Sequence, residues 1–424
     1  MPQNNSHTLS FAAQLKQLDR LLYASRPLWQ NRSFECAQLP WAEAFPTLAE
    51  AVWQLADTEL DEIDTCQSRL NELLLPSLRD DLMAAGLDWN LSFLVPSPVS
   101  TAEKTVDTSI DTATATESLL DFEDMAHFSA HIKGRKWQQI TAFSAKIPAS
   151  NLPVLEWCAG KGHLGRLIAK LNKRTVTSLE WQQNLCDAGQ QFADKWQLPQ
   201  RFICADAFDA QQQLKKEQLA VALHACGDLH ITLLKHAKQA GTKQLVISPC
   251  CYHLIKAKSY QPLSSVAKES DLKLSRADLQ LPLQQSTIAS EKHKQYRLQE
   301  IAWRLAFDSL QREMRQVDEY LPVPSIKLSQ LNGSFEAFCR WAAASKQVVL
   351  NESIDWAHYQ ALGYERQRLT RRIDLVAHLF RAVLEKWLLL DRVCYLEESG
   401  YRVELSEFCA NSVSPRNALI SAFK

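Results

Sequence analysis

Apolar residues recur every three or four positions through the first part of the chain, from Leu9 to about Leu94. The clearest series is Leu48, Val52, Leu55, Ala56 and Leu60. This spacing places one apolar face on a helix, and β-branched residues are few. The pattern predicts a helical N-terminal region over residues 1–95.

Residues 96–120 break this pattern. The stretch from Pro96 to Ser118 is rich in Ser, Thr, Asp and Pro and cannot build an apolar face. We expect a linker or an exposed loop there.

Short apolar runs then alternate with helical periodicities over residues 121–255. The predicted strands are Pro153–Cys158, Thr175–Glu180, Arg201–Ala205, Leu219–His224 and Lys243–Ser248. The predicted helices are His163–Leu171, Trp181–Trp196, Asp209–Glu217 and Asp228–Ala240. This alternation is typical of a parallel sheet with helices on both faces, so it predicts the first part of an α/β core.

The alternation stops after Leu254. Residues 256–372 have largely helical, charged sequence, including Glu300–Arg315, and we expect a helical insertion. Residues 373–424 are expected to close the core with a helix, Ile373–Leu390, and an antiparallel hairpin of Tyr401–Phe408 and Ala418–Phe423. The predicted fold is therefore α/β and Rossmann-like, with a mostly parallel seven-stranded sheet.

The first predicted strand runs into a glycine-rich loop, Glu156 to Gly165. Gly160 and Gly162 can adopt positive φ and let a ligand approach the backbone, and the amides at the helix start favour an anionic group. The residues of this loop expected to bind a cofactor are Glu156, Cys158, Ala159, Gly160, Gly162, His163 and Leu164.

Acidic residues end the next two predicted strands. Glu180 follows Gly160 by twenty residues, where a carboxylate accepts hydrogen bonds from ribose hydroxyls. Asp206 ends the third strand, where it can meet an adenine amino group, and Ala207 beside it joins the expected cofactor-binding residues. The pattern predicts an adenosine ligand.

The acid at Glu156 separates two classes of adenosine cofactor. A carboxylate before the glycines repels a pyrophosphate but suits the cationic methionine end of S-adenosylmethionine. The sequence therefore favours S-adenosylmethionine over a nicotinamide dinucleotide, although an oxidoreductase that uses the same glycines remains an alternative.

Three further motifs extend this pattern: Ala159–Leu164, Leu223–Leu229 and Cys250–His253. With Ser414–Asn417 they resemble a broad methyltransferase-domain family. That family occurs in bacterial proteins, in the C-terminal half of glutathione S-transferase C-terminal domain-containing proteins, and in methyltransferase-like proteins labelled ribosomal RNA adenine dimethylase domain-containing. The resemblance implies a class I methyltransferase. One departure is Cys158, which stands where the family usually has its first glycine.

The same resemblance implies catalytic candidates beside the transferred methyl group. His224 belongs both to the cofactor contacts and, with Asp228 and His253, to the candidate general bases. The alternative is that these residues only shape the pocket and cap the next helix.

Cysteines gather near this motif. Cys250, Cys251 and His253, with Cys226 and His224, have the ligand types of a zinc site, but adjacent cysteines lack C-x-x-C spacing. We expect packing or pocket roles and no metal, and a zinc-containing module remains an alternative.

The composition indicates the cellular compartment and bears on the class of methyl acceptor. The formal net charge of -1 argues against nucleic-acid binding through overall charge, and eleven scattered cysteines fit a reducing compartment, so a cytoplasmic protein is expected. No exported or membrane-spanning segment is predicted.

Basic residues gather in three groups that could hold phosphates: Lys133, Arg135 and Lys136; Lys161, Arg166, Lys170, Lys173 and Arg174; Arg366, Arg368, Arg371 and Arg372. RNA is the favoured acceptor over protein or a small molecule, and a catalytically degenerate RNA-binding or assembly scaffold is the main alternative.

Overall fold

The computed structural model describes residues 9–95, 125–284, 291–327 and 331–424. The linker expected at residues 96–120 lies outside the described residues. The chain divides into two compact units. In described residues, unit one comprises 9–19, 125–280 and 386–424, and unit two comprises 20–95, 281–284, 291–327 and 331–385. Residues 256–280 thus belong with the sheet, whereas we expected them in the insertion.

Unit one contains a seven-stranded sheet. Its strands are β1 Val154–Trp157, β2 Val176–Glu180, β3 Gln200–Cys204, β4 Leu219–Cys226, β5 Gln244–Cys250, β6 Arg402–Glu407 and β7 Ala418–Phe423. The spatial order is β3-β2-β1-β4-β5-β7-β6. The first five strands are parallel, and β7 is antiparallel to both β5 and β6. The predicted fold class is confirmed.

The helices of the described chain are α1 Phe11–Ala24, α2 Arg26–Trp29, α3 Pro46–Gln54, α4 Leu60–Thr65, α5 Gln67–Ala84, α6 Met125–Phe128, α7 Gly134–Ala145, α8 His163–Asn172, α9 Gln183–Lys195, α10 Asp228–Ala240, α11 Ser265–Lys268, α12 Glu291–Arg315, α13 Phe335–Lys346, α14 Trp356–Ala377 and α15 Arg381–Glu398. The region before residue 95 is helical as its spacing predicts. Among the described residues, no helix is long and apolar enough to cross a membrane.

Apolar side chains cover both faces of the parallel strands. Leu155 packs on one face of the sheet in a cluster with Val393 from α15. Val154, its neighbour in β1, packs on the other face with Phe143 from α7 and Leu167 from α8. Because both faces are buried, β1, β4 and β5 are mostly apolar along their length. Ser178 in β2 and Gln200 in β3 are buried polar residues within the sheet.

Two helix predictions are wrong in unit one. Residues Asp209–Glu217 contain only a 3-10 turn at Gln211–Gln213, because this glutamine-rich stretch lacks an apolar face. Residues 256–280 are mostly irregular rather than helical. The fully buried carboxylate of Asp391 accepts the N–H groups of Leu263 and Ser264, which satisfies a backbone that forms no helix there.

The helix predicted at Ile373–Leu390 is interrupted. A 3-10 turn at His378–Phe380 separates α14 from α15. His378 Nδ1 lies 2.5 Å from the Asp64 carboxylate, and the Arg381 guanidinium binds the same group. Side-chain contacts with residues distant in sequence therefore fix a break that the local periodicity does not show.

Candidate functional site

The carboxyl ends of β1, β2, β3, β4 and β5 meet at one edge of the sheet. The direction in which successive strands are added reverses between β1 and β4. β2 and β3 lie on one side of β1, and β4 and β5 lie on the other. In open α/β sheets the crevice at such a reversal is the usual ligand-binding place. The loop after β1 opens onto this edge.

Three positive φ angles shape the loop after β1. Gly160 (φ +59°) and Gly162 (φ +65°) have the backbone that the glycine pattern predicts. Cys158 also has a left-handed backbone, with φ of +56°, at the position where the family usually has glycine. A non-glycine residue in this region costs about 1–3 kcal/mol, so the rest of the fold must compensate.

The two glycines differ in the space around them. A Cβ at Gly162 would lie 2.5 Å from Gln200 Nε2, whereas a Cβ at Gly160 would meet nothing within 4 Å. Gly162 is therefore required by packing, and Gly160 faces open space. A ligand can approach the backbone at Gly160.

Glu156 lies beneath the loop and differs from its expected role. Its side chain is buried and accepts a hydrogen bond from Ser178 Oγ at 2.6 Å, and the Leu164 and Gly165 amides donate to it. Burial raises the pKa of Glu156 to about 7, against the lowering effect of these donors and of Arg166. The carboxylate holds the start of α8 and is not presented to the crevice, so the expected contact with a methionine ammonium is not in place.

Glu180 and Asp206 lie at the ends of β2 and β3. Gly160 N–H donates to Glu180 Oε2 at 2.9 Å, and Gln182 N–H donates to Oε1 at 3.1 Å. Asp206 is exposed, and its Oδ1 accepts only the nearby Phe208 N–H at 2.9 Å among the contacts described. Both carboxylates keep lone pairs for a ligand at this edge.

Of the other residues expected to bind the cofactor, some lie in the loop and some are buried in the core. Ala159 N–H donates to the Leu179 carbonyl at 2.9 Å, and Leu164 and Ala207 are buried. His163 is half-buried, and its Nδ1 has no hydrogen-bond partner among the described residues. Burial, with Arg166, Lys136 and Lys161 nearby, lowers the pKa of His163 to about 3, so this imidazole is neutral.

His224 is positioned by strain and by a helix. It has φ of +68°, next to a register shift in β4 between Leu223 and Cys226. Its Nε2 lies 2.8 Å from Gln139 Oε1 on α7, and Gln139 Nε2 donates to the Val413 carbonyl at 3.5 Å. Because the amide oxygen only accepts, Nε2 carries the proton and Nδ1 keeps its lone pair. Burial lowers the pKa of His224.

The other two base candidates differ in availability. Asp228 begins α10, and its Oδ2 accepts the Lys256 N–H at 2.7 Å, so this carboxylate holds the loop after β5. His253 is half-buried, and its Nδ1 has no partner among the described residues. Of the two, His253 retains a ring nitrogen that no described group occupies.

Three thiols lie together where β4 and β5 end. Cys226 pairs with Cys250 in the sheet register, and their sulfur atoms are 3.5 Å apart. Cys251 has φ of +48°, and the sulfur atoms of all three residues lie within 4.8 Å of one another. Hydrogen bonds from Cys226 and Cys250 lower the pKa of the Cys251 thiol.

Several of the predicted basic groups do not face solvent. Arg166 is buried against the Phe192 ring, and Arg174 is buried with its guanidinium on the Leu152 carbonyl. In unit two, Arg366 and Arg372 bind Asp308 and Asp57. These four arginines make contacts within the fold, so neither phosphate binding nor a solvated helix face, the two alternatives for these basic groups, describes them. Lys133, Arg135 and Lys136 at the start of α7 are exposed.

The sequence reasoning missed three polar residues around this site, Ser178, Gln200 and Gln139. Gln200 Nε2 donates to the Gly162 carbonyl and to Ser178 Oγ, which completes the network under the loop. Gln139 orients His224. None belongs to a recognisable motif, because each acts through a contact made only in the fold.

Part of the chain matches a protein-family model. The match covers residues 135–258, which include β1 to β5, and the model is described as a methyltransferase domain. Similar solved structures include a TehB-like SAM-dependent methyltransferase from Corynebacterium glutamicum, with 17% identity, 32% of this chain and 73% of that chain covered, and a TM-score of 0.23.

Two further similar structures are complexes with S-adenosyl-L-homocysteine or AdoMet. The tRNA (uracil-54, C5)-methyltransferase of Pyrococcus abyssi, in complex with S-adenosyl-L-homocysteine, has 17% identity over 27% of this chain and 29% of that chain, with a TM-score of 0.24. TYW2 of M. jannaschii, in complex with AdoMet, has 18% identity over 28% of this chain and 52% of that chain, with a TM-score of 0.24.

Proposed function

We propose that this chain transfers a methyl group from S-adenosylmethionine to an anionic acceptor, with RNA the favoured class. The observation that carries the proposal is the loop after β1, where Gly160 faces open space beside the Glu180 carboxylate, within a matched methyltransferase domain. The narrower resemblance to the ribosomal RNA adenine dimethylase domain-containing proteins stays a prediction.

The residues at the sheet edge fit such a cofactor. The methionine end would lie against the open backbone at Gly160, the ribose hydroxyls beside Glu180, and the adenine amino group beside Asp206. The fit rests on the open space at Gly160 and on carboxylates that retain unused lone pairs. When bound, the sulfonium supplies a methyl group that is already activated for transfer.

The chain itself would supply orientation and a proton acceptor. Positioning accounts for much of the rate when the donor is activated. His253 is the better base candidate, because Asp228 is held by Lys256 N–H and His224 Nε2 by Gln139. An imidazole ring nitrogen with a lone pair can accept a proton from a hydroxyl or an ammonium group during attack.

An anionic acceptor is supported by the exposed start of α7. Lys133, Arg135 and Lys136 are exposed there, and Lys136 acts electrostatically on both His163 and His224 at the crevice. Cations beside a crevice attract polyanions and make binding salt-dependent. Lys161 in the loop after β1 is also exposed, so the solvent-facing basic residues near the site are this group and Lys161.

The test is calorimetric titration with S-adenosylhomocysteine, with NADH as the control ligand, followed by radiolabelled methyl transfer to RNA, protein and metabolite fractions. We expect micromolar binding of S-adenosylhomocysteine alone and label in RNA, reduced in Lys136→Glu. Label in protein or metabolites only would refute the RNA acceptor. Binding without transfer to any fraction would favour the scaffold alternative, and binding of NADH alone would refute the cofactor.

A further inference from the structure

The three thiols at the ends of β4 and β5 have the spacing of a metal centre. Zinc bound by thiolates at about 2.3 Å places neighbouring sulfur atoms about 3.8 Å apart in a tetrahedron. The Cys226 and Cys250 sulfur atoms are 3.5 Å apart, and the Cys251 sulfur lies within 4.8 Å of both. Small side-chain rotations would bring all three to a common ion.

The imidazole of His224 lies beside one of these thiols. His224 Nδ1 lies 3.9 Å from the Cys250 sulfur, while its Nε2 is hydrogen-bonded to Gln139. Histidines that bind metals usually donate the other ring N–H to an acceptor, which fixes the tautomer and the ring orientation. The Gln139 oxygen is such an acceptor, so His224 presents a lone pair toward the thiols.

The backbone around the thiols is arranged for this convergence. Cys226 and Cys250 lie opposite each other on adjacent parallel strands, so the sheet register brings the two sulfur atoms together. His224 and Cys251 both have left-handed backbone, and their side chains lie 3.9 Å from the Cys250 sulfur and within 4.8 Å of both sulfur atoms, respectively. Strained backbone outside glycine is concentrated at functional sites, because simple packing does not require it.

We propose that Cys226, Cys250, Cys251 and His224 form a binding site for a thiophilic divalent metal ion, with zinc as the fitting ion. Three thiolates and one imidazole are a common set for a closed zinc site. Arg416 acts electrostatically on Cys226 and Cys251, so the net negative charge of the filled site has a cationic neighbour. The metal would join the ends of β4 and β5 beside the crevice, independently of the proposed methyl transfer.

The test uses the full chain, purified with reductant, exposed to Zn²⁺ and desalted before metal analysis. We expect about one zinc per chain in the unsubstituted protein and in Cys66→Ser, whose exposed thiol contacts Ser68. Cys251→Ser should lose most of the zinc. Reduced, folded protein that retains no zinc would overturn the proposal, as would a Cys251→Ser variant that retains the full amount.

Cobalt substitution gives a readout that does not depend on a variant's folding. Co²⁺ in the unsubstituted protein should show thiolate-to-metal charge-transfer bands and the strong visible bands of four-coordinate geometry. The charge-transfer intensity per chain should fall by at least one third in Cys251→Ser, because one thiolate is lost and the remaining ligands hold the metal less tightly. His224→Ala should shift the visible bands. A Co²⁺ spectrum without charge-transfer bands would overturn the site. Titration with S-adenosylhomocysteine of the same samples reports separately on the proposed function.

Discussion

Adding one methyl group at Gly160 tests the candidate cofactor loop most directly. Gly160 has φ of +59°, and a Cβ there would meet nothing within 4 Å. Gly160→Ala should therefore fold, and its only cost is an alanine in left-handed backbone. That cost is about 1–2 kcal/mol. Alanine also lowers the conformational entropy of the unfolded chain, which offsets about 0.4–1 kcal/mol of it. The free energy of unfolding should fall by about 1 kcal/mol.

The effect on the ligand should be larger. The new methyl group would occupy the space through which a ligand approaches the loop, and overpacking of one methyl group costs about 1–3 kcal/mol. The dissociation constant for S-adenosylhomocysteine should rise by roughly 5- to 150-fold. Calorimetry measures this change, and urea denaturation measures the stability.

Gly241 provides a matched control in the same unit. It follows α10 with φ of +66°, and a Cβ there also meets nothing within 4 Å. Gly241→Ala should lose the same stability as Gly160→Ala and keep the unsubstituted affinity for S-adenosylhomocysteine. If both folded variants bind the ligand equally well, the loop does not contact it and the site assignment is refuted.

Three further predictions concern a buried acid, a strand-end acid and a helix contact. The pKa of Glu156 is raised from 4.5 to about 7, so its stabilising contribution is complete below pH 4.5 and is lost as pH rises through 7. Glu156→Gln should remove up to about 3 kcal/mol of this pH dependence in denaturation curves, and parallel curves for both proteins would contradict the reasoning. Glu180→Ala should weaken S-adenosylhomocysteine binding by about 1–3 kcal/mol in calorimetry, and unchanged affinity would exclude a ribose contact. A Cβ at Gly363 in α14 would lie 2.5 Å from Ala306 Cβ in α12, so Gly363→Ala should cost about 1–3 kcal/mol, and an unchanged melting temperature would show that the two helices can separate freely.

The parallel core is predictable from the sequence because each strand and the glycine loop can be identified from residues adjacent in the chain. β1, β4 and β5 are short, mostly apolar runs, and the glycines after β1 have positive φ as their type predicts. β7 also matches its predicted bounds. Burial on both faces makes the central strands mostly apolar, which distinguishes them from the amphipathic helices between them.

The parts that sequence reasoning did not predict depend on distant contacts. Residues 256–284 contain few helices because Asp391 supplies acceptors to their backbone, and nothing near residue 263 indicates this. The break before α15 depends in the same way on Asp64. At the site, the sequence places Glu156 correctly at the strand end, but only the fold shows its carboxylate turned under the loop to Ser178.

The position of β7 has a consequence for synthesis. β7 covers the edge of β5, yet residues 251–417 separate the two strands along the chain. During translation β5 is complete long before its partner is made, and its edge hydrogen-bonding groups remain open meanwhile. Closing so long a segment also makes the last pairing slow. A nascent chain of this protein therefore carries an unpaired, apolar strand edge that chaperones can bind until the hairpin emerges.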